Sequence, residues 1–172
     1  MNHSAARIGA ALVATCLAGA GAAATTDQGA CAPGAGPPLT VHVHGLRDDA
    51  GRLKLELYPA NERDFLRNGS ELVREGKAFR RVWSSALPGS DASLCIAAPS
   101  PGRYALVLVH ARHNKNKFNL WSDGVGVVGS ERLGRSKPKL AQALVDVQPQ
   151  GATVQVRAQY MQGLGGFGPM KR

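Results

Sequence analysis

The feature that most constrains the fold is a run of apolar residues from Tyr104 to Val109, which reads YALVLV. Since successive side chains of a β-strand point to opposite faces, a strand with this sequence is apolar on both faces. Such a strand belongs in the interior, with other elements packed against both of its sides. We therefore predict that it is the central strand of a sheet around which the rest of the chain is arranged.

The segments around this strand are typical of an all-β protein. Apolar and polar residues alternate over 39–46 and again over 53–57, and turn residues separate the two segments. Further short strands are predicted over 78–83, 92–96, 141–147 and 152–158. About seven short strands with turns between them favour a single antiparallel β-sandwich.

The chain of 172 residues has the length of one domain with peripheral segments. An apolar, Ala-rich stretch follows Arg7 and ends in small residues, which is typical of a secretory signal peptide. An alternative interpretation of this stretch is a membrane-retained signal anchor. We predict a signal peptide over 1–24, a flexible leader over 25–38, the sandwich domain over 39–160 and a disordered Gly-rich tail over 161–172.

The three cysteines support export. Cys16 lies inside the predicted signal peptide, which leaves Cys31 and Cys95 in the mature chain. Two cysteines in an exported domain commonly form a disulfide, so we predict this pair. The alternative is that Cys16 is lipidated, although Thr15 directly before it fits that signal poorly. The predicted location is periplasmic or extracellular, with no stable membrane span after cleavage.

The composition is strongly basic, with 21 Lys and Arg against 12 Asp and Glu and a formal net charge of +9. Cleavage after Ala24 would remove one cation, Arg7, and no acid, which leaves +8. This excess favours negatively charged partners, such as anionic glycans, lipid headgroups or an acidic envelope protein. Nucleic acid is a poor partner for an exported protein, so we do not expect it.

The most distinctive surface segment follows the central strand and reads HARHNKNKFNLWSDGVG from His110. It combines cations with aromatic residues, and basic residues continue as far as Lys139. Cations beside exposed aromatic rings suit phosphate, acidic glycans and lipid headgroups. The alternative is a solvated basic face with the aromatic side chains packed beneath the loop. The predicted ligand-binding residues are His110, Arg112, Lys115, Lys117, Trp121, Arg135 and Lys137.

Histidines offer a second hypothesis, a metal-binding protein or enzyme centred on His110 with His42, His44 or His113. Imidazole suits zinc, copper and nickel, and residues two apart on a strand share a face. No spacing here is a specific metal signature. We therefore favour a non-enzymatic protein and assign it no catalytic residue, metal or cofactor.

Residues 124–129 read GVGVVG and match the glycine pattern of dinucleotide-binding loops. That pattern requires a strand before it and a helix after it in an α/β unit, and neither is predicted here. We expect these glycines to permit turns with positive φ instead.

Several of these segments together resemble a known family. They are PGRYA from Pro101, a strand that ends at His110, DGVG from Asp123 and GRSKP from Gly134. This combination resembles the bacterial exported family called domain of unknown function 2141, over about residues 39–160. The resemblance implies an immunoglobulin-like or transthyretin-like sandwich and supplies no activity.

The loop after the central strand departs from the family pattern. Members commonly read HDENGNGK at this point, with alternate oxygen-bearing side chains that resemble a calcium loop. The corresponding positions here are Ala111, His113 and Lys115, none of which has a carboxylate. The comparison with the family pattern therefore implies that this loop does not bind calcium.

Overall fold

The computed structural model describes residues 29–85, 91–113 and 117–170, so the predicted signal peptide over 1–24 lies outside the described residues. The described part of the chain is mostly β, as predicted. Its elements in chain order are β1 (Pro38–His44), β2 (Arg52–Pro59), α1 (Gly69–Arg74), β3 (Arg80–Ser85), β4 (Ala92–Ala97), β5 (Gly102–Ala111), β6 (Gly124–Val127), α2 (Leu140–Ala143), β7 (Leu144–Val147), β8 (Ala152–Arg157), β9 (Tyr160–Met161), a 3₁₀ turn (Gly163–Gly165) and β10 (Phe167–Gly168).

The apolar run lies in β5, which is an interior strand of the larger sheet. The strand order in this sheet is β3-β2-β5-β6, and β7 also pairs with β5. On one edge β5 pairs with β2 along its length, and on the other it pairs first with β7 and then with β6. A smaller sheet has the order β4-β1-β8, and β9 and β10 form a two-stranded hairpin.

The two larger sheets share one hydrophobic core. The alternating apolar residues of β1 and β2 are buried with the residues on one face of β5, including Leu106 and Leu108. The residues on the other face of β5, including Val107, pack against Leu72 of α1, Ala143 of α2 and Phe167. The central strand is therefore buried on both faces, as its sequence predicts. The inward residues of β1 and β2 are Leu39, Val41, Val43, Leu53, Leu55 and Leu57, each at most 1% exposed.

The pairing of β1 with β8 is parallel, which differs from the predicted antiparallel arrangement. Thr40 lies opposite Thr153 and His44 opposite Arg157 in this pair. The physical reason is that alternation encodes which face of a strand is buried but not the direction of its partner. The number of strands among the described residues is ten, which exceeds the predicted number of about seven. Segments as short as Tyr160–Met161 and Phe167–Gly168 have too few residues to show a periodicity.

The end of the predicted leader is fixed to the smaller sheet. The structure joins Cys31 to Cys95 of β4 in a disulfide with a Cα–Cα distance of 5.8 Å. Nearby, the Ala97 N–H donates to the Gly29 carbonyl at 2.7 Å. The residues from 29 onward are thus held against β4 by both a covalent bond and a backbone hydrogen bond.

The segment predicted as a disordered tail forms β9, the 3₁₀ turn and β10 over most of its described part. Phe167 explains the difference, because its side chain is buried in the second core cluster. Its backbone exchanges two hydrogen bonds with Gly134, at 2.6 and 2.9 Å. No helix among the residues described is long and apolar enough to cross a bilayer.

Candidate functional site

His110 is the penultimate residue of β5, and its side chain is fully buried. Its Nε2 lies 2.7 Å from the carbonyl oxygen of Ala50, and its Nδ1 lies 2.6 Å from the hydroxyl of Tyr160. A carbonyl oxygen can only accept, so Nε2 carries the proton and Nδ1 accepts from the Tyr160 hydroxyl. Burial lowers the pKa of His110 and favours this neutral form. Both ring nitrogens are therefore occupied by the protein itself.

Tyr160 joins His110 to the turn between β1 and β2. Its hydroxyl accepts the backbone N–H of Arg47 at 2.9 Å while it donates to His110. Burial raises the pKa of Tyr160 to about 12. Gly51 in the same turn has a φ of +76°, and a Cβ there would lie 2.1 Å from the Ala111 carbonyl oxygen. The turn, the end of β5 and β9 are thus fixed together, which gives His110 a structural role.

Arg112, the first residue after β5, is held by a carboxylate of the same chain. Its Nε lies 2.9 and 3.0 Å from the two carboxylate oxygens of Asp48, and its Nη2 contacts the same group. Hydrogen bonding to Arg112 lowers the pKa of Asp48. This guanidinium therefore closes the loop onto the β1–β2 turn, and its charge is offset within the protein.

Asp123 closes the other end of the loop between β5 and β6. Its side chain is buried and accepts the N–H groups of Arg112 at 3.1 Å and Asn119 at 2.8 Å. The hydroxyl of Ser122 also donates to it, at 3.2 Å. No role at the site was predicted for Asp123 from the sequence. The available signal was an Asp directly before Gly at a loop end, since Asp often accepts nearby backbone N–H groups in turns.

We expect Asp123→Ala to lower the free energy of unfolding by about 2 kcal/mol, because two backbone N–H groups lose their buried acceptor. Urea denaturation would measure the change. Asp49→Ala, which removes an exposed carboxylate near the same end of the fold, is the matched control and should stay within about 0.5 kcal/mol of the unmodified protein. Equal stabilities for the two variants would contradict the role assigned to Asp123.

The remaining predicted ligand residues lie at the surface. Lys117, Arg135 and Lys137 are exposed, and Trp121 is 71% exposed. Lys115 lies outside the described residues. The exposure of Trp121 argues against the alternative in which this ring packs beneath the loop.

The loop and the β9–β10 hairpin lie against each other. The ring of Phe118 in the loop and that of Phe167 in the hairpin have centroids 6.1 Å apart. The segment between β6 and α2 also contacts the hairpin, where the Arg135 Nε donates to the Leu164 carbonyl at 2.6 Å. Leu164 itself, in the 3₁₀ turn of the hairpin, is 87% exposed. We define the loop–hairpin surface as the exposed apolar residues Phe118, Leu120, Trp121 and Leu164 together with the cations Lys117, Arg132, Arg135 and Lys137.

Leu164 was not predicted to belong to the site, because it lies in a Gly-rich segment that is typical of a disordered tail. The signal that could have found it is Phe167, a large apolar residue close by that anchors the hairpin.

The family model for an uncharacterised protein conserved in bacteria, domain of unknown function 2141, matches residues 41–155. The match covers well over half of the chain and runs from β1 to β8. The chain belongs to this family. No curated protein and no solved structure matches the sequence. The predicted resemblance is thus confirmed, while Leu164 and Phe167 lie beyond the residues that the family model matches.

The four histidines that the structure describes in this family member do not converge on one site. His42 and His44 lie on the side of β1 that faces away from the core, and His113 is exposed. The Nε2 of His44 accepts from the Arg157 side chain at 3.2 Å. Within the part of the chain that the structure describes, no three His, Cys, Asp or Glu side chains group as metal ligands. The hypothesis centred on His110 therefore has no supporting geometry there.

Gly124 and Gly126, two glycines of the dinucleotide-like pattern, allow close packing of β6. Neither has a positive φ, so the expectation of turns was wrong for these two. A Cβ on Gly124 would lie 2.6 Å from the Tyr160 ring, and one on Gly126 would lie 2.6 Å from the Arg157 carbonyl oxygen. The glycines thus let β6 approach β8 and β9.

Proposed function

We propose that this protein is an exported, non-enzymatic accessory module of the bacterial cell envelope that docks on anionic membrane surfaces. The loop–hairpin surface would make the contact. The observation that carries the proposal is its set of large apolar side chains, from 42% exposed at Phe118 to 87% at Leu164, beside exposed cations. Clustered exposed apolar groups next to basic residues are typical of surfaces that contact a membrane or a partner.

The apolar residues favour a lipid surface over a glycan. Lys and Arg could bind an acidic glycan as well as a phosphate headgroup, but Leu120 and Leu164 gain nothing from a polar sugar. In a bilayer interface these leucines would enter the acyl region, and Trp121 would lie at the headgroup level that Trp prefers. Each cation near an anionic surface contributes about 1 kcal/mol, so the cations of this surface would add substantially to the affinity.

Export is supported by two observations. The segment over 8–24 resembles the apolar part of a secretory signal peptide, and Cys31 is paired with Cys95. Disulfides persist in oxidising compartments such as the periplasm and the cell exterior. We propose one of these locations for the protein.

We also infer that the two larger sheets form a β-sandwich of the immunoglobulin-like or transthyretin-like type. The core that β1 shares with β2 and β5 supports a face-to-face arrangement of the sheets. The parallel pair of β1 and β8 would make it a sandwich of mixed strand direction.

We expect the protein to co-sediment with vesicles that contain phosphatidylglycerol, to bind pure phosphatidylcholine vesicles weakly, and to lose affinity in high salt. The double variant Trp121→Ser/Leu164→Ser should weaken binding at least about tenfold, since burying each large apolar side chain contributes about 1.5–3 kcal/mol. Val73→Ser removes a 39% exposed apolar side chain on α1 and should leave binding unchanged.

Three results would contradict the membrane proposal. The first is no binding to anionic vesicles, and the second is equal loss in the Val73→Ser control. The third is salt-sensitive binding to an acidic glycan that survives the double variant, which would favour a glycan ligand. A dimer in solution that the double variant dissociates would identify the surface as an interface between copies of this chain.

A further inference from the structure

A groove of about 850 Å³ lies on the outer side of the larger sheet, over β2 and β3. The segment of residues 66–70 before and at the start of α1 bounds one side of it. Its volume is within the range of small-molecule sites, about 300–1,000 Å³. The groove shares no lining residue with the loop–hairpin surface, so it requires a separate explanation.

The strand register places charged side chains on the floor of the groove. Lys54 of β2 lies opposite Trp83 of β3, Glu56 lies opposite Arg81, and Arg52 lies opposite Ser85. These residues of β2 alternate with Leu53, Leu55 and Leu57, whose side chains point into the shared core. The period of two therefore directs Arg52, Lys54 and Glu56 to the outer face together.

The positive charges of the groove exceed the negative charge that they contact. Among the described residues that line the groove, Glu56 is the one acidic residue. Its carboxylate lies 2.6 Å from the Arg81 guanidinium and 3.2 Å from the Lys54 ammonium group. The same carboxylate accepts the hydroxyl of Tyr58 at 3.1 Å. One carboxylate shared by two cations leaves one positive charge without compensation.

Arg52 provides a second positive charge. Among the residues that the structure describes, no carboxylate lies within 4.0 Å of its guanidinium, and its buried Nε has no hydrogen-bond partner. Its guanidinium carbon lies 4.4 Å from the centroid of the Trp83 ring, so an aromatic face holds this side chain in place. Lys54 Nζ lies 5.6 Å from the same centroid, so both cations lie beside the Trp83 ring on the outer face of the sheet.

We propose that this groove binds a small anion that carries hydroxyl groups, with its carboxylate or phosphate paired with Arg52 and Lys54. A guanidinium presents a planar fork of donors that matches the oxygens of both groups. Stacking on Trp83 orders the Arg52 side chain before binding, which reduces the entropy that binding costs. Ser70 and Ser85 line the same groove and can meet hydroxyl groups of the ligand. A sugar acid and a sugar phosphate share this chemistry.

The thermal unfolding of the purified protein with glucuronate, glucose 6-phosphate and glucose, each at about 10 mM, tests the proposal. We expect either or both anions to raise the unfolding midpoint, and neutral glucose to leave it unchanged. The stronger of the two anions identifies the preferred acidic group. Arg52→Gln should weaken binding of that anion at least about tenfold, because a charge-assisted hydrogen bond is lost. Arg103→Gln, which removes an exposed arginine paired with Asp146 outside the groove, should leave the binding unchanged.

A second measurement keeps the test valid if Arg52→Gln does not fold. In a Trp121→Phe background the remaining tryptophan is Trp83, so its fluorescence reports directly on the groove. We expect saturable quenching or enhancement by the anion and none by glucose. No response to either anion in both measurements, a response that sodium chloride reproduces, or equal loss of binding in Arg103→Gln would overturn the proposal.

Discussion

The double variant Cys31→Ser/Cys95→Ser is expected to unfold with a free energy about 4 kcal/mol lower than that of the oxidised protein. The disulfide joins residues 64 apart in sequence, and the loop that it closes contains β1 to β3 and the first part of β4. Closing a loop of this length lowers the conformational entropy of the unfolded chain, which stabilises the folded protein by about 4 kcal/mol. The same bond fixes the segment from residue 29 against β4, so its loss should also release that segment.

Urea denaturation of the oxidised protein, the reduced protein and the double variant measures the effect. Replacing both cysteines avoids a free thiol in the variant, and the reduced protein should match the variant. A difference below about 1 kcal/mol would contradict the prediction, since it would mean that the unfolded chain is hardly constrained by the bond. A large effect would indicate that the protein needs an oxidising compartment to reach full stability, which the proposed export supplies.

The fold could be predicted where the information is local. The apolar run in β5 and the alternation in β1 and β2 give the central strand and the inward faces, because side-chain direction has a period of two. Strand partners depend on contacts between distant segments, and no local pattern specified that β8 would pair in parallel with β1. For the same reason the burial of Phe167 against distant residues was not predictable from its Gly-rich neighbours.

The candidate site likewise has features that could be predicted from the sequence and features that could not. The sequence identified Lys117 and Trp121 in a loop that the structure shows to be exposed, because a polar segment after a buried strand is a local signal. His110 and Arg112 were also predicted to bind a ligand. In the structure, His110 is hydrogen-bonded to Tyr160 and Arg112 is paired with Asp48. Those partners are 50 and 64 residues away in sequence. A charged or titratable residue near a loop can therefore be found from sequence, but its availability cannot.

His110→Ala is expected to lower the free energy of unfolding by about 3–5 kcal/mol. The side chain is fully buried, so its removal leaves a cavity, an unpaired carbonyl at Ala50 and a Tyr160 hydroxyl proton without an acceptor. Tyr160→Phe keeps the ring and deletes the hydroxyl, so it should cost only about 1–2 kcal/mol. His42→Ala removes an exposed imidazole and should stay within about 0.5 kcal/mol of the unmodified protein.

The same histidine should make stability depend on pH. Because burial lowers the pKa of His110 in the folded protein, the unfolded chain binds a proton at a higher pH than the folded one. The contribution of His110 to the free energy of unfolding is complete above the pKa of the unfolded chain, about 6.5. It is lost as the pH falls from there to the pKa of the folded protein, by up to about 1.4 kcal/mol per pH unit. The pKa of Asp48 is lowered from 3.8, so its own contribution is lost only at more acidic pH. Urea denaturation between about pH 5 and 7 should therefore show a slope that His110→Gln removes and His42→Ala keeps.

The His110→Ala variant also distinguishes a structural role of His110 from a role as a metal ligand. If His110 bound zinc, copper or nickel, the metal would raise the unfolding midpoint of the unmodified protein, and His110→Ala would abolish that rise. In the structure both ring nitrogens are already bonded within the protein, so the loss of stability in His110→Ala should be the same with the metal and with a chelator. A midpoint that rises with zinc and depends on His110 would require Nδ1 or Nε2 to exchange its present partner for the metal, and would overturn the structural role assigned to this residue.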